Sequence, residues 1–185
     1  MMDFFSSCIA LNGSSRPFGN TKTLLNKIEQ ILEEPHTSSI PIVDLCTLNI
    51  TPYDYLGRNS GDDFLPLITR CIKNYSHIIF ATPIYWYTVS AHTKIFLDRF
   101  TDLITIHKNL TEELIGKEIS VVASFAGRNQ ETLLIMKQNV DTIFFNFCHY
   151  LKMHYKGSYF AHSSLEEVNT EELKKFFLKN KSLKS

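Results

Sequence analysis

The sequence predicts an α/β fold in which helices cover both faces of a parallel sheet. Short apolar segments alternate with longer segments of helical periodicity along the 185 residues. The apolar segments are nearly continuous rather than alternately apolar and polar, as expected of strands that are buried on both sides. Five such strands joined by right-handed helical crossovers favour the strand order 2-1-3-4-5.

Each element follows from an apolar run or from apolar residues at helical spacing. The predicted strands are 4–11, 40–45, 77–81, 117–124 and 153–161. The predicted helices are 21–32, 64–75, 90–104, 130–151 and one that begins near 170, with Asp62 or Asp63 as the cap of the second helix. Pro41 near the start of the second strand is typical of an edge strand, and Pro83 is expected to end the third strand. We expect one domain over residues 1–185.

This strand order is the flavodoxin-like one, a three-layer sandwich of helices, five-stranded parallel sheet and helices. Ligands of such sheets bind beyond the carboxyl ends of the strands, at the point where the winding direction changes. Here that point lies between strands 1 and 3. The loops after strands 1, 3 and 4 are therefore the predicted ligand-binding segments.

The loop after strand 1 has the composition of a phosphate-binding loop. Residues 13–21 are Gly-Ser-Ser-Arg-Pro-Phe-Gly-Asn-Thr and lead directly into a predicted helix. The first amides of a helix lack intrahelical acceptors and, together with the helix dipole, attract an anion. Hydroxyl groups and the Arg16 guanidinium would add donors. The alternative is an ordinary turn in which Asn20 or Thr21 only caps the helix.

The other two loops offer contacts to a flat ring. Three consecutive aromatic residues, Tyr85, Trp86 and Tyr87, follow strand 3. Aromatic faces and backbone amides at this edge suit a heteroaromatic ring, although the same side chains could pack on a neighbouring helix or a partner subunit. After strand 4, Gly127 permits close backbone approach, so this loop would line the other side of the ring. Its alternative is an ordinary strand-to-helix connection.

Composition argues against several classes of protein. The 19 basic and 19 acidic residues give no net charge, so no global field favours nucleic acid. No apolar stretch reaches the roughly 20 residues that span a bilayer, and Asp3 stands where a secretory signal would need positive charge, so cytoplasmic residence is expected. The four cysteines are scattered and the seven histidines form no metal-binding pattern. We expect free thiols, no metal, no nucleic acid and no membrane.

Three segments carry a family resemblance: residues 13–21, residues 82–87 (Thr-Pro-Ile-Tyr-Trp-Tyr) and residues 94–99 (Lys-Ile-Phe-Leu-Asp-Arg). Together they resemble the NAD(P)H-dependent FMN reductase family of flavodoxin-like proteins, the branch that also includes iron-sulfur flavoproteins. The resemblance implies FMN as the cofactor and NAD(P)H as the co-substrate. It assigns the FMN phosphate to Ser14, Arg16, Gly19, Asn20 and Thr21. It assigns the isoalloxazine ring to Pro83, Ile84, Tyr85 and Trp86, with Ser124 and Gly127 expected to line its other side.

The reaction that the resemblance implies is hydride transfer from NAD(P)H to bound FMN, followed by electron transfer to a small acceptor. That acceptor would be a quinone, a nitroaromatic, an azo compound or free flavin. Because the flavin carries this chemistry, we name no catalytic residue. The alternative is a flavodoxin-type electron carrier that uses FMN without oxidising NAD(P)H, but such carriers are usually strongly acidic and this chain is neutral. The aromatic loop also favours a homodimer or homotetramer.

Several positions depart from the family pattern. The segment after strand 2, residues 51–56, contains no cysteine, so no [4Fe-4S] cluster is expected. Ser90 and Thr93 stand where related proteins often show proline and an aliphatic residue, and we expect neither to touch the phosphate loop. Phe125 and Arg128 occupy a loop that is often richer in glycine. The segment 94–99 is expected to be structural, with its charged residues in salt bridges.

Overall fold

In the part of the chain that the structure describes, five parallel strands and one short antiparallel strand form the central sheet. The computed structural model describes residues 7–32, 39–127, 129–165 and 168–179. The strands are β1 (Cys8–Asn12), β2 (Ile42–Asp44), β3 (His77–Tyr85), β4 (Thr88–Val89), β5 (Glu118–Phe125) and β6 (His154–His162). The helices are α1 (Asn20–Leu32), α2 (Phe64–Asn74), α3 (Ala91–Asp98), α4 (Phe100–Thr105), α5 (Lys108–Glu112), α6 (Gln130–Tyr150) and α7 (Thr170–Lys179).

The strand order is β2-β1-β3-β5-β6, and β4 pairs with β3 as an antiparallel hairpin. All pairings along the main order are parallel. Counting the parallel strands alone gives the order 2-1-3-4-5, so the predicted flavodoxin-like fold is confirmed. The prediction of an edge strand after Pro41 is also confirmed, because β2 is the first strand of the order.

Two apolar cores, one on each face of the sheet, hold the layers together. One core lies under α2 to α6 and contains five packed rings, whose neighbouring centroids are 5.2–6.1 Å apart: Phe64, Phe80, Phe96, Phe100 and Phe144. The other core lies under α1 and α7. Successive residues of β1 enter opposite cores, Ile9 with the first and Ala10 with the second, as the two-residue period of a strand requires. Among the described residues, no helix is both long and apolar enough to cross a membrane.

β6 forms the second edge of the sheet and contains an irregularity. Ile119 pairs with Tyr155 and Val121 pairs with Ser158, so two residues of β6 face a single residue of β5. One of these two residues is Gly157, whose φ of +98° places it in the region that favours glycine. The edge strand is therefore bent by a bulge near its start.

The prediction that Pro83 ends the third strand is wrong, because β3 continues through Pro83 to Tyr85. Proline has no amide hydrogen to donate to a neighbouring strand. On one side of β3, β1 has already ended at Asn12, opposite Ala81, so no residue of β1 lacks a donor at Pro83. On the other side, pairing with β5 continues as far as Pro83 and Ser124. A proline is tolerated where the neighbouring strand has already ended.

The predicted single helix 90–104 is divided at Arg99, whose side chain is held by two buried carboxylates. Arg99 Nε donates to Asp102 Oδ2 over 2.7 Å, and Arg99 Nη1 donates to Asp62 Oδ2. The Arg99 side chain is 3% exposed, and its guanidinium lies 4.8 Å from the centroid of the Phe64 ring. The expected salt bridges of this segment are thus confirmed.

Asp62 fastens the loop after β2 to the junction of α3 and α4. Its carboxylate accepts from the amide of Phe64, the first residue of α2, and from both the amide and the hydroxyl of Thr51, each over 3.0 Å. Burial by itself would raise the pKa of Asp62. The hydrogen bonds from Arg99, Thr51 and Phe64 outweigh burial and hold that pKa below its usual value.

We expect Asp62→Asn to lower the free energy of unfolding by about 3 kcal/mol near pH 7, because it leaves the buried Arg99 with one carboxylate fewer. The depressed folded-state pKa means that Asp62 stabilises the protein above its unfolded-state pKa of about 3.9 and loses this effect as pH falls through the folded-state value. The difference between variant and wild type should therefore shrink below about pH 4. Urea unfolding at pH 7 and at pH 3 measures it.

Asp98→Asn is the matched control. Asp98 pairs with Lys94 over 2.6 Å, but the two side chains are 47% and 54% exposed. Loss of such a surface pair should change the free energy of unfolding by less than about 1 kcal/mol. Equal losses in the two variants, or an Asp62→Asn loss that does not depend on pH, would contradict the interpretation.

Candidate functional site

A cleft of about 250 Å³ opens where the carboxyl ends of β1, β3 and β5 meet. Its lining comes from the three predicted loops and from the residue after β6: Ser14, Arg16, Gly19, Asn20, Thr21, Pro83, Ile84, Tyr85, Ser124, Phe125, Ala126 and Ser163. Nine of the eleven residues predicted to bind the cofactor are therefore brought together around one cleft.

The other two predicted residues, Trp86 and Gly127, are not part of this lining. Trp86 lies at the tip of the β3–β4 hairpin and is 92% exposed. Gly127 packs towards α6, where an added Cβ would lie 3.2 Å from the Met136 side chain. Arg128 lies outside the described residues.

Three further residues line the cleft that were not among the predicted cofactor-binding residues: Ser163, and Phe125 and Ala126 of the predicted loop after strand 4. The Ser163 amide donates to the Phe125 carbonyl oxygen over 2.7 Å, which continues the pairing of β6 with β5. The available signal for Ser163 was its position two residues after the end of the predicted last strand. In this topology that strand also ends at the ligand-binding edge.

The loop after β1 folds back on itself before α1 begins. The Ser14 amide donates to Asn12 Oδ1 over 3.1 Å, and Ser14 Oγ accepts from the Arg16 amide over 3.2 Å. At Gly19 an added Cβ would lie only 2.9 Å from Arg16 Cβ, which is closer than side chains allow. Ser14 is buried whereas Arg16 is exposed, so the loop is fixed by its backbone while the guanidinium remains accessible.

Three backbone amides at the start of α1 lack intrahelical acceptors, and two of these residues, Asn20 and Thr21, line the cleft. The first intrahelical hydrogen bond is donated by Thr23 N to the Gly19 carbonyl oxygen over 3.0 Å. The amides of Asn20, Thr21 and Lys22 precede this bond and have no intrahelical acceptor. They give this end of the helix a positive potential.

Hydroxyl groups link the first helix to the end of β5. Thr21 Oγ1 and Ser124 Oγ lie 2.8 Å apart, and both residues are almost fully buried. Both were predicted to contact the cofactor from separate loops, and the structure shows that they contact each other. Lys22, in the same helical turn as Thr21, has its ammonium 3.2 Å from Asp44 Oδ1, so its charge is compensated.

The expectation that Ser90 and Thr93 do not touch the phosphate loop is wrong. Ser90 Oγ donates to the Gly13 carbonyl oxygen over 2.7 Å. Thr93 Oγ1 lies where a Cβ on Gly13 would stand, so only glycine fits there. The reason is a tertiary contact: the Gly13 amide donates to the Ala81 carbonyl oxygen over 2.8 Å, which holds the loop against β3, the strand that leads to Ser90 and α3.

The hairpin of β3 and β4 has Trp86 and Tyr87 as its two turn residues. Their φ angles are +49° and +65°, in the left-handed region that glycine and asparagine usually occupy in such turns. Asn139 of α6 donates its side-chain amide to the Tyr87 carbonyl oxygen over 3.1 Å, which fixes the tip. The Trp86 ring projects from the protein rather than packing on the neighbouring helix.

The cleft is poor in groups that could transfer protons. Among the described residues that line it, Arg16 alone is charged, and Tyr85 is the only other titratable side chain. Within the described ranges, no cluster of three or more histidine, cysteine, aspartate or glutamate side chains is placed to hold a metal ion. The four cysteines are free thiols, as expected, and Cys8, Cys71 and Cys148 are buried. The arrangement can bind an anion beside a flat ring.

The family model of the NADPH-dependent FMN reductases matches residues 7–164, which is most of the chain. The chain belongs to this family. YwqN of Bacillus subtilis, whose name describes an NAD(P)H-dependent FMN-containing oxidoreductase, is 29% identical over 156 residues, and the match covers 80% of each chain. The protein is thus an NAD(P)H-dependent oxidoreductase with FMN as its cofactor, and this assignment favours the enzyme over the electron carrier.

Solved structures show the same fold at low sequence identity. The Trp repressor binding protein from Bacillus subtilis superimposes with a TM-score of 0.66 at 21% identity, covering 91% of this chain and 94% of that chain. RosB, solved with the bound intermediate 8-demethyl-8-formylriboflavin-5'-phosphate, gives a TM-score of 0.70 at 13% identity, with 93% and 75% of the chains covered. These likenesses support the flavodoxin-like fold of this FMN reductase.

We expect Trp86→Gly to raise the free energy of unfolding by up to about 1 kcal/mol. A left-handed L residue costs roughly 1–2 kcal/mol, which exceeds the roughly 0.5–1 kcal/mol lost through the greater freedom of glycine in the unfolded chain. The 92% exposed ring has little packing to lose. Urea unfolding of the protein without its cofactor measures the difference.

Tyr85→Gly is the control for this prediction. Tyr85 lies within β3 and pairs with Thr88, so no strained backbone is relieved there. We expect this variant to be less stable than wild type by about 1 kcal/mol. A similar loss of stability in both variants would show that the turn is not strained.

Proposed function

We propose that FMN binds in the cleft at the carboxyl ends of β1, β3 and β5, and that a small planar compound is the final electron acceptor. The single observation that carries the location is the convergence of nine of the eleven predicted residues on that cleft. When bound there, FMN supplies the capacity to accept a hydride from NAD(P)H and to pass two electrons on. The residues of the chain bind and orient the reacting groups.

The phosphate subsite is proposed at the start of α1. The free amides of Asn20, Thr21 and Lys22 and the accessible Arg16 guanidinium form a donor set suited to a phosphate. Because Lys22 is already paired with Asp44, Arg16 is, among the described residues that line the cleft, the cation available to compensate the negative charge of the ligand. The donor chemistry of this loop therefore fits the phosphate end of FMN.

The ring subsite is proposed between the end of β3 and the end of β5. Ile84 and Tyr85 line one side of the cleft, and Phe125 and Ala126 line the other. This lining is apolar and aromatic, as a flat ring requires. Since Pro83 and Ser124 are register partners, the two sides of this subsite are fixed by the sheet itself.

The acceptor classes that we propose are quinones, nitroaromatics, azo compounds and free flavin. All are planar and therefore suit aromatic side chains. Tyr85, which is 47% exposed, lines the mouth of the cleft, and Trp86, which is 92% exposed, lies next to it. For a quinone, the net reaction consumes NAD(P)H and a proton and yields NAD(P)⁺ and the hydroquinone. The lining contains no carboxylate or histidine among the described residues, so we assign the chain no acid or base in this step.

We expect Arg16→Ala to raise the dissociation constant for FMN about ten-fold or more, because a charge-assisted hydrogen bond to phosphate is worth roughly 1.5–3 kcal/mol. Titration of the apoprotein with FMN, followed by quenching of flavin fluorescence, measures it. Arg70→Ala is the control, since Arg70 is exposed on α2 and does not line the cleft. An unchanged dissociation constant in Arg16→Ala would move the phosphate elsewhere.

We expect the protein alone to oxidise NADH or NADPH with a quinone and to give the parallel double-reciprocal lines of a ping-pong mechanism. The physical reason is that NAD(P)H and the acceptor must reach the same ring from one open cleft. Initial rates at varied concentrations of both substrates provide the measurement. Intersecting lines, or no turnover with any of the four acceptor classes, would contradict the proposal.

The expected homodimer or homotetramer and the single-domain organisation also remain proposals. What supports self-association is the exposed apolar surface of α6, where Leu134 and Phe145 are 66% and 59% exposed. The aromatic hairpin is fastened to the same helix through Asn139. Light scattering of the purified protein decides the oligomeric state.

Cytoplasmic residence remains a prediction from the sequence.

A further inference from the structure

A buried cluster of hydroxyl groups connects the loop after β1 with the segment after β3. It consists of Thr82, Ser90 and Thr93, which are 0%, 3% and 0% exposed. Ser90 Oγ donates to the Gly13 carbonyl oxygen over 2.7 Å, and the Ser90 amide donates to Thr82 Oγ1 over 3.0 Å. Thr93 contributes its amide, 3.3 Å from Ser90 Oγ, and its hydroxyl, 3.1 Å from the same atom. We call these three residues the hydroxyl cluster.

The direction of each hydrogen bond in the cluster follows from the number of protons available. A serine hydroxyl has one proton, and that of Ser90 goes to Gly13, so the Thr93 hydroxyl must donate to Ser90. The Thr82 hydroxyl donates in turn to the Pro83 carbonyl oxygen over 3.1 Å. The cluster is thus an ordered set of bonds that ends at Gly13 on one side and at Pro83 on the other.

These two ends are the first residues of the two segments that carry the proposed FMN subsites. Gly13 opens the phosphate loop, and Pro83 opens the segment that lines the ring subsite. Gly13 is held at both of its polar atoms, its amide by the Ala81 carbonyl oxygen and its carbonyl by Ser90. Ser90 Oγ also caps α3 by accepting the Thr93 amide. The phosphate loop cannot move relative to the hairpin without breaking a buried hydrogen bond.

We propose that Ser90 is a positioning residue, which with Thr82 and Thr93 sets the distance between the phosphate subsite and the ring subsite. This inference rests on the proposed location of FMN in the cleft. A ligand held at both ends tolerates little change in the spacing of its subsites, because a shift at one end weakens the contacts at the other. The hydroxyl cluster acts on FMN through the backbone of Gly13 and Pro83, without touching the cofactor.

The test is Ser90→Ala, with Ser120→Ala as the matched control. Ser120 is also fully buried, and its Oγ lies 2.9 Å from His77 Nε2, nearer the amino ends of the strands and outside the cleft lining. Ser120→Ala removes one buried hydroxyl contact, whereas Ser90→Ala removes three, and among these only the bond to the Gly13 carbonyl oxygen reaches the phosphate loop. The readouts are the FMN dissociation constant of the apoprotein, the visible absorption band of the bound flavin, and the thermal unfolding temperature.

We expect Ser90→Ala to raise the FMN dissociation constant about ten-fold and to alter the shape or position of the flavin band, since the loss of the buried bond to Gly13 is expected to act on the spacing of the subsites. Ser120→Ala should change the dissociation constant less than about three-fold, whatever its effect on the unfolding temperature. Equal changes in the two variants, or none in Ser90→Ala, would overturn the positioning role. If Ser90→Ala does not fold, Thr82→Val replaces it, with the same expected changes and the same contrary outcome.

Arg16→Ala, measured beside these variants, separates this inference from the proposed location of FMN. If Arg16→Ala weakens FMN binding and Ser90→Ala does not, the location stands and the positioning role of Ser90 is wrong. If neither variant weakens FMN binding, the location itself is wrong. If both weaken it and Ser120→Ala does not, the positioning role is supported.

Discussion

β3 is paired in parallel with β1 on one side and with β5 on the other, and this arrangement determines where every segment of the candidate site lies. Asn12 is opposite Ala81, and Pro83 is opposite Ser124, so the segments that leave the three strands start within a few residues of one another. Parallel strands also require crossover connections, which are usually helices. The start of α1 is thereby directed to the same edge of the sheet as the aromatic hairpin.

The fold and most of the candidate site were accessible from local signals. Buried strands are recognised from apolar runs in the sequence. A loop of glycine and hydroxyl residues between a strand and a helix can likewise be recognised without tertiary information. Ser90 could not be placed in this way, because its contact with Gly13 joins residues 77 positions apart. The continuation of β3 through Pro83 likewise depends on where β1 ends, which the sequence of β3 does not contain.

The turn at Trp86 and Tyr87 shows a different limit of local reasoning. Two-residue hairpin turns are usually recognised by asparagine and glycine, and an aromatic pair carries the opposite signal. The pairing of Ile84 with Val89 and of Tyr85 with Thr88 nevertheless imposes the turn on these two residues. Strained backbone of this kind persists where the surrounding structure determines it, and it is concentrated at functional sites.

The bulge in β6 bears on how the protein behaves when it is concentrated. A nine-residue edge strand is a template onto which another chain can add. In β6 the regular spacing of hydrogen-bonding groups is interrupted at residues 156 and 157, and the Lys156 ammonium lies 3.7 Å from Glu118 Oε1 at the adjoining strand. Bending and inward-facing charge are two devices by which natural sheets resist edge-to-edge aggregation. Growth of fibrils from this edge is therefore disfavoured by two residues, Lys156 and Gly157, that lie outside the lining of the cleft.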